Sequence, residues 1–62
     1  MEKRQPSYQY IIVQEKMIVS LAMKVNDLIE EGFKPIGGVA IGKNNYGQET
    51  IYCQAMIREV NV

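Results

Sequence analysis

Apolar side chains recur at Ile18, Leu21, Ala22, Val25, Leu28 and Ile29, a spacing that draws one stripe along a helix, while Lys24, Asp27, Glu30 and Glu31 fall away from it. The pattern predicts a helix from about Met17 to Glu31 lying on another layer, its first turn least defined because no Ser, Thr or Asp N-cap precedes it. Gly32 stands where a residue just past a helix takes positive φ. Phe33 is placed to fold back on Leu28, and Pro35 blocks any continuation. Glu30 and Glu31 lie at the negative end of the helix dipole, where exposed acids cost about 0.3–1 kcal/mol each.

The period changes on either side of this helix. Tyr8 to Gln14 is rich in aromatic and β-branched residues and predicts a first strand, with Tyr8, Tyr10 and Ile12 on one face and Gln9, Ile11 and Val13 on the other. A second strand is expected over Ile36–Ile41, weakened by Gly37 and Gly38, which also let a ligand or another backbone come close. Residues 42–49, from Gly42 to Glu49, read as a loop, and Thr50–Glu59 as the third and clearest strand. Met1–Ser7 is a polar arm and Val60–Val62 a tail.

A hairpin of strands two and three, with the helix carrying the chain back from strand one, points to an α+β fold. The expected architecture is β-α-β-β, a three-stranded antiparallel sheet in order 2-3-1 with one helix packed on one face. Strand three offers two faces. Ile51, Cys53, Ala55 and Ile57 are uniformly apolar and are expected under the helix with Ile11, Val13, Val39 and Ile41. Tyr52, Gln54, Met56 and Arg58 would then join Tyr8, Tyr10, Ile12, Gly38 and Ala40 on a face that meets water or another chain. A face so aromatic suits an interaction surface, since Tyr, Met and Arg are favoured in interface cores.

Composition narrows what such a face could do. Sixty-two residues make a single small domain with a thin core, without the cysteine pair for a disulfide or any histidine for a zinc cluster. Oligomerisation is the remaining common source of stability, and apolar residues form 47% of the chain to supply the surface. Seven basic and seven acidic residues cancel, so no positive field recruits duplex nucleic acid or an anionic membrane. No apolar run approaches the ~20 residues of a membrane span, and the start is no signal peptide. The expected compartment is the cytoplasm.

Catalysis finds little support. Cys53 is expected to point inward, Ser7, Ser20 and Thr50 have no base at a readable spacing, and no two carboxylates pair as acid and base. Binding asks less. Tyrosine rings can stack on a base, Arg58 can fork onto phosphate, Gln54 can read a donor–acceptor edge, and the amides of Gly37 and Gly38 can approach an anion. Lys43 to Tyr46 could line a rim or simply form an exposed hairpin tip.

Val25-Asn26, Ile29, Gly32-Phe33, Pro35 and Gly37-Gly38-Val39, followed by Tyr52-Cys53-Gln54-Ala55-Met56, resemble the family called domain of unknown function seventeen-thirty-seven. The likeness runs from Tyr8 to about Arg58, with Phe33 where the family pattern has tryptophan. It implies the β-α-β-β order and carries no activity with it. In size and style the chain is also similar to phage sponge proteins, the anti-CBASS type among them, which sequester cyclic nucleotide signals of bacterial defence by stoichiometric binding.

The expectation is therefore a non-enzymatic homo-oligomer that needs no cofactor or metal. It would hold a small anionic ligand, most concretely a cyclic di- or trinucleotide immune signal, between its subunits. Tyr8, Tyr10 and Tyr52 would wall the base, Gln54 would read its edge, Arg58 and Lys34 would meet phosphate, and Gly37 and Gly38 would allow close approach. The rival reading is an adaptor module that binds a protein and no small molecule.

Overall fold

The structure, a computed structural model, describes residues 6–43, 47 and 49–60. Of the expected arm Met1–Ser7, residues 1–5 lie outside the described residues, as do Asn44–Tyr46 and Gln48 of the expected loop and Asn61 and Val62 of the tail. Ser7, the loop residues Gly42 and Lys43, and the tail residue Val60 belong to strands, which run longer than expected. The elements follow in the order β1 (Ser7–Glu15), α1 (Ile18–Glu30), β2 (Lys34–Lys43) and β3 (Thr50–Val60). β3 is the central strand and pairs antiparallel with both others, giving the order β1-β3-β2. This is the expected α+β arrangement. β2 starts earlier than expected because an edge strand tolerates Pro35, whose missing N–H removes no bond from a central ladder. The helix is neither long nor apolar enough to cross a membrane.

The turn out of α1 closes as its residues predict. Gly32 takes φ +99°, its N–H donates to the Ile29 carbonyl at 3.0 Å, and the Phe33 N–H donates to the Leu28 carbonyl at 3.0 Å. These are the two bonds of a Schellman ending. They turn the chain so that Phe33 drops into the core with Val13, Leu21 and Met56, while Ile11, Val25, Leu28 and Tyr52 pack around it. At the other end Met17 caps α1 with extended backbone and no side-chain bond, consistent with the absence of a capping residue.

The faces of β3 are the reverse of those expected. Ile11 stands opposite Met56 and Val13 opposite Gln54, so Tyr52, Gln54, Met56 and Arg58 share the helix side with the inward residues of β1. Ile51, Cys53, Ala55 and Ile57 fall on the open side, and Cys53 therefore does not point into the core. Pairing register decided the matter. β1 directs Ile11 and Val13 inward as its alternation predicts, and a shift of one residue in β3 would exchange every side chain between faces. The price of the observed register is an inward glutamine, which β2 accommodates. Gly37, Gly38 and Val39 together stand opposite the single residue Gln54, a bulge in β2 whose carbonyls need donors.

Candidate functional site

Gln54 is 5% exposed, and its Nε2 donates to the carbonyls of Ile36 at 3.1 Å, Gly37 at 3.3 Å and Ala55 at 3.0 Å. One side-chain amide thereby satisfies the bulge that the two glycines create. Gly37 takes φ +70°, a conformation that side-chain-bearing residues rarely adopt, and a Cβ built on either Gly37 or Gly38 meets nothing within 4 Å. Within one chain, then, no backbone or side chain crowds these glycines. The Gln54 amide is thus engaged within the fold, at the floor of a groove between α1 and β2 that Gln54 and Gly37 both line.

Arg58 is also engaged internally. Its Nη1 donates to the backbone carbonyl of Glu31 at 3.0 Å, its Nε donates to Oε1 of Gln9 at 3.1 Å, and its guanidinium lies 4.6 Å from the centroid of the Phe33 ring. A cation is thus fixed at the negative end of α1, on the backbone carbonyl of its C-cap residue Glu31. Tyr52 lies on this same helix side, half-buried against the core. The expected grouping of Tyr52, Gln54 and Arg58 with Tyr8 and Tyr10 is therefore corrected by register: the two sets occupy opposite faces of the sheet.

The open face has a different membership. Tyr8, Tyr10 and Ile12 are 59%, 58% and 59% exposed on β1, and Ile57 and Ala55 of β3 stand opposite Tyr10 and Ile12. Lys34 and Ile36 of β2 pair with Ile57 and Ala55 from the other side, so Tyr10, Ile57 and Lys34 form one row and Ile12, Ala55 and Ile36 the next. Of the expected ligand-binding residues, Tyr8, Tyr10 and Lys34 are brought onto one surface. Ile36, Ala55 and Ile57 belong to it without having been expected there. Their common signal was pairing register, which a single strand's alternation does not carry.

A hollow of about 400 Å³ lies where β1 meets α1 and is lined by Gln14, Glu15, Lys16, Met17, Ser20 and Ile51. Lys16 bridges to Glu49 across 3.4 Å near its mouth, a solvent-exposed pair of the kind that contributes little. Among the described residues no three acidic or cysteine side chains gather as metal ligands.

No curated protein and no solved structure matches the chain. Residues 7–59, which take in the whole fold but the last residue of β3, match the family described as Domain of unknown function (DUF1737), and the chain belongs to that family.

Proposed function

We propose that this protein is a non-catalytic binding protein that works as a homo-oligomer, its copies meeting through the open face of the sheet. The observation that carries this reading is the row structure of that face, where Tyr8, Tyr10, Ile12 and Ile36 stand exposed together. Contiguous apolar patches of this kind mark interaction sites, and tyrosine supplies broad contact at little entropic cost. Static light scattering on the purified chain tests it: a mass above the 7.1 kDa monomer is expected, and a monomer at every concentration would remove the reading.

The same face supports a more specific use. Tyr8 and Tyr10 offer ring surfaces and Lys34 an ammonium on one side of the sheet, which suits a small planar anion held between subunits, a cyclic nucleotide being the concrete case. On this reading the protein acts by sequestration, as phage anti-defence sponges do, and Gln54 and Arg58 serve the scaffold. Isothermal titration with cyclic di- and trinucleotides should give heat that Tyr10→Ala and Lys34→Ala abolish and Arg58→Ala leaves in place. The absence of heat with every nucleotide would leave the adaptor reading, in which the face receives a protein.

A further inference from the structure

On the helix side of the sheet a second apolar surface is uncovered, and it lies across the sheet from the tyrosines. α1 sits mainly over β1 and β3 and reaches β2 least. Leu21, Val25 and Leu28 point into the core, while Ile18, Ala22 and Ile29 follow next around the helix and Val19 and Met23 lie beyond them. Ile18, Val39 and Ile41 are consequently 58%, 47% and 68% exposed. Between helix and strand runs a groove of about 330 Å³ whose walls include Ile18, Ala22, Val25, Pro35 and Val39, with no charged side chain among its lining residues.

We propose that a second copy of this chain fills this groove across a two-fold axis, α1 of each copy lying against β2 of the other through Ile18, Ala22, Val39 and Ile41. Self-complementarity favours this occupant, because the concave groove and the convex stripe of Ile18, Val19 and Met23 are neighbours on one molecule, as an isologous contact requires. An uncharged lining sets no like charge against itself when two identical surfaces meet. A contact through the open face cannot reach the groove on the opposite side. Main-chain pairing along the β2 edge is a poorer alternative, since Pro35 lacks an N–H and the bulge at Gly37–Val39 interrupts the edge.

The test uses the full chain. Ala22→Arg places a charge at an exposed helix position, and native mass spectrometry should find its complexes at half the wild-type copy number with the circular dichroism spectrum retained. An unchanged copy number overturns the proposal. A second measurement needs no destabilised variant: chains carrying Ile18→Cys with Cys53→Ser are mixed with chains carrying Val39→Cys with Cys53→Ser and oxidised. A mixed disulfide dimer is expected, and its absence overturns the proposal as well. Tyr10→Lys separates this contact from the open-face one. If Tyr10→Lys leaves the mass unchanged while Ala22→Arg halves it, the groove contact stands and the open-face assembly falls, whereas the reverse result removes the groove contact alone.

Discussion

Two polar side chains that look like ligand-binding groups are internal struts. Gln54→Leu keeps the volume but strips the donor from the Ile36 and Gly37 carbonyls at the bulge, and the expected loss is about 1–3 kcal/mol, read by urea denaturation. Arg58→Ala removes a cation from the C-terminal end of α1 and from the Phe33 ring, with an expected loss of about 1–2 kcal/mol. Arg58→Lys should recover only part of that loss, since a point charge cannot donate to Glu31 and Gln9 at once while lying flat on a ring. Equal stability of the alanine and wild-type chains would show that this contact contributes nothing. Neither role was legible in the sequence, where Gln54 and Arg58 are two polar residues on a strand. A polar side chain's partner is set by what tertiary folding brings to it, and the Ile36 and Gly37 carbonyls that meet Gln54, like the Glu31 carbonyl and Gln9 side chain that meet Arg58, come from elements distant in the chain.

At the scale of the element, the glycines divide by backbone conformation. Gly32 at φ +99° and Gly37 at φ +70° sit where a Cβ strains the chain although space is open around them. Gly32→Ala and Gly37→Ala are each expected to cost about 1–2 kcal/mol. Gly38→Ala, with open space and no positive φ, should change stability by no more than about 0.5 kcal/mol. Thermal melts of the three variants check the contrast, and a loss at Gly38 as large as that at Gly37 would contradict it. The helix ending was readable because a Schellman turn is local: Leu28, Ile29, Gly32 and Phe33 lie within one short stretch and carry its whole hydrogen-bond pattern. The bulge was not readable in the same way, because it exists only relative to the strand across from it.

For the whole molecule, stability and assembly are expected to be linked. A chain whose apolar surface is covered by other copies melts at a temperature that rises with its concentration, because the associated state is favoured by mass action. Differential scanning calorimetry over a hundredfold range of concentration should show that rise, and Tyr10→Lys combined with Ala22→Arg should flatten it. A wild-type melting temperature independent of concentration would mean that the exposed residues Ile12, Ile18 and Ile41 are stable in water without a partner. The sequence by itself determined the elements, their order in the sheet, the helix stop at Gly32 and the open side of β1, since each follows from local periodicity, turn chemistry or chain connectivity. Only the tertiary structure decided which side of β3 meets the helix. Both of its alternating sets can be buried, one being apolar throughout and the other having its glutamine satisfied by the β2 bulge, so the choice fell to the register in which Ile11 meets Met56 and Val13 meets Gln54.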